Sequence, residues 1–250
     1  MKYFIKEIKK ANRDQGRKYL FLFLFVIFYN VFMLNKTGGL INPVVDILYI
    51  NFKGMEYIDK NSKMIVISGY WIANNLLWLF IVSSYINDQL HNGWQKIIRV
   101  GKKKWHVALF IVLFFQSILY MCVQILGCFI TRIIMLNFKN NKYWISPWAG
   151  TTRDMVISLL LLTFTYFVVA VLEVMFSIIL NEKIGIIIAI CIEIITIFIP
   201  KGVVYIGNLL MLIRSQYIKS QYIYLLVIEI VICCICMMVT VLGNTKREWL

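Results

Sequence analysis

Residues 155–180 read MVISLLLLTFTYFVVAVLEVMFSIIL, a run in which Glu173 is the one charged side chain. A helix needs about 20 apolar residues to cross a hydrocarbon core about 30 Å thick, so this run is long enough to span a bilayer. Similar runs lie before it at 19–34, 64–86 and 107–136, and after it at 184–200 and 222–243. Across the 250 residues, 61% are hydrophobic, 15% are charged and the mean hydropathy is +0.78. Soluble domains are roughly 45–50% apolar. A water-soluble enzyme and a disordered chain are thereby excluded, and the predicted fold is an all-α membrane protein with six transmembrane helices. The runs at 19–34 and 184–200 are short. The first can borrow turns from its basic flank by snorkelling, and the fifth ends at Pro200-Lys201-Gly202, a helix stop.

The chain carries 26 Lys and Arg against 12 Asp and Glu, a formal charge of +14. These basic residues flank apolar runs and do not build a soluble module, so membrane lipid headgroups are the expected partner and nucleic acid is not. Their distribution also sets orientation. Seven lie in residues 1–18 and five in the connection between the second and third spans; Lys183, Lys246 and Arg247 bring that side to 15, against ten on the other. Both termini are therefore expected to be cytoplasmic.

Residues 1–18 alternate Tyr3, Phe4, Ile5, Ile8 and Ala11 with lysines at near-helical spacing. That pattern suits an amphipathic helix on the inner leaflet, with a plain basic tail as the simpler alternative. Residues 19–250 then form one six-span domain. A secretory signal is not expected, because Asn35-Lys36-Thr37-Gly38-Gly39 offers no small-x-small cleavage site. No internal repeat is visible, and the longest external connection, 35–63, is too short for a folded domain. All six cysteines sit inside apolar runs, where they read as small packing residues and not as a disulfide framework.

Little in the chain suggests catalysis. Gly101-Lys102 lacks both the upstream Gly and the hydroxyl of a P-loop. The two histidines, His91 and His106, lie outside any H-E-x-x-H pattern, and Ser68-Gly69 lacks the preceding Gly of a G-x-S-G site. No catalytic residue, metal ligand or cofactor is expected in this chain.

Four ionisable residues fall inside predicted spans: Arg132, Glu173, Glu193 and Glu229. Such charges are costly in hydrocarbon and normally face protein or water. By depth, Arg132 and Glu229 could compensate one another. The four could line a polar translocation path, or they could join helices structurally with Asn74, Asn75, Gln116 and Gln124 as hydrogen-bonding glue.

The connection after the second span, NDQLHNGWQKIIRVGKKKW over 87–105, is the most informative segment. Trp94, Ile97 and Ile98 stand at i, i+3 and i+4, one apolar face of a short helix. Lys96 and Arg99 take the other side, and Gly101 is a natural stop. The face would lie on the inner leaflet or dock a soluble partner.

With its six spans, this arrangement resembles the type 2 ABC exporter permeases. They have a cytoplasmic N-terminal interfacial helix and, in this connection, a Gly followed by an apolar stretch and a basic segment. Gly93, Ile97, Ile98, Arg99 and Lys102, Lys103 and Lys104 are similar to that pattern; Trp94 stands where Thr is common, and no carboxylate directly precedes Gly93. Residues 203–213, apolar and too short to cross, suit the family's re-entrant half-helices. A compact Lys/Ile-rich chain without an external domain is most similar to the lantibiotic-immunity and peptide-export permeases of Gram-positive bacteria. The resemblance implies residence in a bacterial plasma membrane and pairing with a second permease copy or homologue. It also implies separate ATPase subunits that bind ATP and Mg and dock at Gly93–Lys104, and an amphipathic peptide or lipid-like substrate moved outward. The rival readings are an ion-coupled secondary transporter or channel, and a non-transporting scaffold.

Overall fold

A computed structural model describes residues 2–36, 44–55, 69–136, 148, 150–199, 206–217 and 222–246. Every regular element among these residues is helical: α1 (Lys2–Lys36), α2 (Val44–Phe52), α3 (Gly69–His91), α4 (Gly93–Val100), α5 (Lys102–Leu136), α6 (Thr152–Ile179), α7 (Glu182–Phe198), a 3-10 turn (Ile206–Leu210), α8 (Leu212–Tyr217) and α9 (Tyr222–Lys246). Four of the helices, α1, α5, α6 and α9, are long and apolar enough to cross a membrane. α3 has the length but carries Asn74, Asn75, Ser83, Asn87 and Asp88, and α7 has 17 residues. The start of the expected second span (64–68), the stop at 200–202 and most of the external connection at 35–63 lie outside the described residues.

The N-terminal region differs from expectation in one respect. The surface helix expected over 1–18 and the span expected over 19–34 form a single helix, α1, of 35 residues. Its buried stripe explains the continuity: Ala11, Gln15, Tyr19, Leu22, Val26, Asn30 and Leu34 recur every three or four residues through the expected boundary. This stripe packs along α5, the two helices running parallel: Tyr19 donates to the Gln116 carbonyl (3.2 Å) and Asn30 Nδ2 lies 3.6 Å from Cys128 Sγ. Gly127 permits the approach, since a Cβ there would stand 2.7 Å from Val26 Cγ1. At about 1.5 Å per residue both helices are about 52 Å long, so each projects well beyond a hydrocarbon core.

The centre of the bundle is α6. Of its most apolar window 72% is buried, against 28% in α1 and α9, because α3, α5, α7 and α9 all pack on it. A capping box starts it: Thr151 Oγ1 accepts from the Asp154 amide (3.2 Å) and Asp154 Oδ2 from the Thr151 amide (2.9 Å). The chain then reverses at once into α7, whose N-cap Asn181 accepts from the Ile184 amide at 2.9 Å. Such a tight reversal makes α6 and α7 antiparallel neighbours. Gly185 lets their backbones touch, since a Cβ there would lie 2.8 Å from the Glu173 carbonyl and clash with Ser177 Oγ.

At the end away from α4, α2 and the 206–217 segment close the bundle. Residues 203–205 of the expected re-entrant segment are outside the described residues. Its described part is a 3-10 turn followed by the short α8, with Asn208, Leu209, Leu210, Met211 and Ile213 buried. The Ile213 amide donates to the Lys53 carbonyl (3.1 Å) and Trp71 Nε1 to the Leu210 carbonyl (2.8 Å).

Candidate functional site

Two places gather polar chemistry: a buried column where α3, α5, α6 and α7 meet, and the α4 connection with the start of α1.

In the column, the fully buried Tyr120, Tyr166 and Trp78 form a triangle, the three rings 5.0–5.4 Å apart. Tyr166 donates to Asn75 Oδ1 (2.6 Å), Tyr120 to the Asn74 carbonyl (3.1 Å), and Gln124 Nε2 to Asn74 Oδ1. Asn74, Asn75 and Gln124 therefore do join helices. Gln116 is buried, but neither of its side-chain polar atoms makes a hydrogen bond.

Glu173, on α6, and Glu193, on α7, lie on the two packed helices of the antiparallel hairpin. Both are buried. Neither oxygen of Glu173 has a hydrogen-bond partner, nor has Glu193 Oε1, and the hydroxyl of Ser177 is likewise unpaired. Glu229, on α9, meets α6 at Thr165, whose hydroxyl donates to its Oε1 at 2.7 Å. A charged group in mid-bilayer costs about 2.5–3.5 kcal/mol on insertion scales, so three carboxyls with no cationic partner among the described residues are a marked feature of this bundle.

The expected compensation of Glu229 by Arg132 is not formed. Arg132 is exposed, and no ion pair joins it to Glu229. Two things separate them: α5 and α9 pack on α6 and not closely on each other, and Arg132 falls one position outside the buried face of α5 formed by Gly127, Cys128, Thr131 and Met135.

At the other place, α4 begins at Gly93 and ends where Gly101 adopts φ 86°, its amide donating to the Ile97 carbonyl. The positive φ favours glycine. Gly93 is packed against the buried Trp105 ring, 3.1 Å from where a Cβ would stand. Ile97 packs on the core, whereas Ile98 is 66% exposed, so the two isoleucines do not share one fate; the Trp94 side chain lies outside the described residues. Arg99, Lys103 and Lys104 are exposed and Lys102 half-buried. Lys96, read from the sequence as solvent-facing, turns inward to Glu7 (2.7 Å) and Gln89 (2.8 Å). Nearby, Lys18 donates to Ser84 and lies over the Phe80 ring at 5.1 Å.

Arg214 escaped the sequence reading. It is completely buried and donates to the Met55, Thr196 and Ile197 carbonyls and to Asn208 Oδ1. The α7 carbonyls it caps lie at the negative end of that helix dipole. The available signal was an arginine following eleven apolar or small residues. No group of three His, Cys, Asp or Glu placed to hold a metal occurs among the described residues. Compared with known proteins, the chain matches no family model, no curated protein and no solved structure.

Proposed function

We propose that the chain is the transmembrane subunit of an exporter driven by separate ATPase subunits, of the kind the type 2 ABC permeases represent. In this reading α3 and α7 cross the membrane with the four longer helices, giving six spans. The buried 206–217 segment is the re-entrant element, and both termini and α4 face the cytoplasm of a bacterium. Two such subunits, identical or homologous, would enclose the path of an amphipathic peptide or lipid-like substrate that enters from the bilayer. ATP and Mg belong to the partner ATPase.

The observation that carries the reading is α4. It is a separate helix of eight residues between two long helices, stopped by Gly101, with Ile97 seated on the bundle and Ile98 and Arg99 outward. A side chain such as Ile98 gains about 1.5–3 kcal/mol when a partner buries it. Through Lys96 and Glu7 the same helix is fastened to α1, so a push on α4 reaches a helix that runs the depth of the bundle. The test is copurification of the tagged protein with an ATPase encoded beside it, followed by ATPase assays in proteoliposomes. Stable recruitment and stimulation of hydrolysis support the reading. A chain that recruits no ATPase contradicts it.

A further inference from the structure

We propose that Glu173 and Glu193 form a proton-binding pair inside the membrane domain, holding at least one proton between them at neutral pH. The placement follows from the α6–α7 hairpin. Gly185 sits against Ser177 and the Glu173 carbonyl, and in an antiparallel pair those contacts set residue 193 opposite residues 165–169, one to two turns along α6 from Glu173. Gly185, Ala189 and Glu193 recur at every fourth residue and are all buried, so the Glu193 side of α7 faces the seam.

The second observation is the state of the surrounding polar atoms. Ser177 is fully buried and its Oγ has no partner; both Glu173 oxygens and Glu193 Oε1 are also unsatisfied. The Ser177 hydroxyl is aimed into the seam, since a Cβ on Gly185 would collide with it. Buried polar atoms normally find partners. A carboxylate can only accept, but a protonated carboxyl becomes an O–H donor. One proton therefore removes one of two like charges and supplies a donor to a neighbouring hydroxyl or carboxylate.

Among the described residues, the titratable groups facing the pair offer no competing cation. α5 contributes Tyr120 and α6 contributes Tyr166, both hydrogen-bonded to α3 asparagine oxygens. Glu229 from α9 is occupied by Thr165. Arg214 is committed at the far end of α7, on the Thr196 and Ile197 carbonyls and Asn208. This inference does not depend on ATPase docking.

The experiment treats the purified full chain, in nanodiscs, with dicyclohexylcarbodiimide, which modifies protonated carboxyls in apolar surroundings, and maps the adducts by mass spectrometry. Labelling of Glu173 or Glu193 several-fold above Glu182, at the start of α7, is expected at neutral pH, falling as pH rises. Glu173→Gln should lower labelling of Glu193, because the like charge that helps retain the proton is gone. Labelling of neither residue above Glu182 overturns the proposal, even if the variants fail to fold. Protection when sodium replaces choline at constant pH also overturns it, in favour of a cation site. Unchanged labelling of Glu193 in Glu173→Gln makes them two separate carboxyls.

Discussion

Lys96 Nζ lies 2.7 Å from Glu7 Oε2 and 2.8 Å from Gln89 Oε1, so a single ammonium on α4 ties the start of α1 to the end of α3. The two charged side chains are only 16% and 12% exposed. Exposed pairs are worth under about 1 kcal/mol, whereas removing one partner of a buried pair costs about 3–5 kcal/mol. We expect Lys96→Met and Glu7→Gln each to cost roughly 1–3 kcal/mol, between these limits. The double mutant should lose less than the sum. Thermal unfolding of the four proteins in detergent checks this, and strictly additive losses would mean that the pair contributes nothing of its own.

Gly185 and Gly101 are glycines for different reasons, and substitution separates them. At Gly185 a Cβ meets the Glu173 carbonyl at 2.8 Å and the Ser177 amide at 2.9 Å, both backbone atoms that cannot swing away. At Gly101 nothing lies within 4 Å, and the obstacle is φ 86° alone. Gly185→Ala should force α6 and α7 apart, at about 1–3 kcal/mol or more. Ser177→Ala should restore only part of it, because the backbone contacts remain. Gly101→Ala should cost about 1–3 kcal/mol of strain and leave the α6–α7 seam intact, as crosslinking of cysteines placed across that seam would report.

Arg214 donates to four acceptors drawn from residue 55, the end of α7 and Asn208. A lysine has no planar fork to reach this arrangement. Arg214→Lys is therefore expected to destabilise the protein nearly as much as Arg214→Ala, by about 3–5 kcal/mol, the range for an uncompensated buried group. A variant within about 0.5 kcal/mol of wild type, the size of an ordinary surface change, would show that the guanidinium does not hold this end together.

The long helices were legible because hydropathy reports membrane burial directly, and Gly101 because positive φ has a sequence signature. The depth argument for Arg132 and Glu229 failed because depth says nothing of rotation or of which helices pack together. Arg132 is one residue beyond the stripe that contains Thr131, and Glu229 already accepts from Thr165. Lys96 and Arg214 were misread for a related reason: a long cationic side chain can turn into a bundle wherever oxygens converge, and convergence is tertiary. Likewise, the boundary expected at residue 18 was set where the lysine-rich amphipathic pattern meets the apolar run, whereas the α1 stripe that packs on α5 runs through it.

Separation of Arg132 and Glu229 has its own consequence. Arg132→Leu should change stability by no more than about 0.5 kcal/mol, as for other exposed positions. Glu229→Leu removes one of two acceptors of the buried Thr165 hydroxyl, the Leu161 carbonyl at 2.9 Å remaining, and should cost about 0.5–1.5 kcal/mol, the worth of an ordinary hydrogen bond. Combined, the two should add. Recovery of folded protein in the double mutant would instead reveal an interaction between them.

Ile97 and Ile98 are adjacent in α4 but differ in what they touch, and that difference separates docking from folding. Ile97 packs partly buried on the bundle, so Ile97→Ala should lower stability by about 1–2 kcal/mol, less than the about 2–5 kcal/mol of a fully buried site. Ile98 is 66% exposed and supports nothing in the chain itself, so Ile98→Ala should leave unfolding unchanged within about 0.5 kcal/mol. If an ATPase covers Ile98, the same variant should weaken recruitment roughly ten-fold, since about 1.4 kcal/mol is one decade in affinity. Ile98→Glu should weaken it further, because a charge would then be buried at the contact. The check is binding of the partner ATPase to wild type, Ile98→Ala and Ile98→Glu, with unfolding measured on the same preparations. Recruitment unchanged in both variants would place Ile98 against lipid headgroups and leave α4 as an interfacial helix, without a docking role.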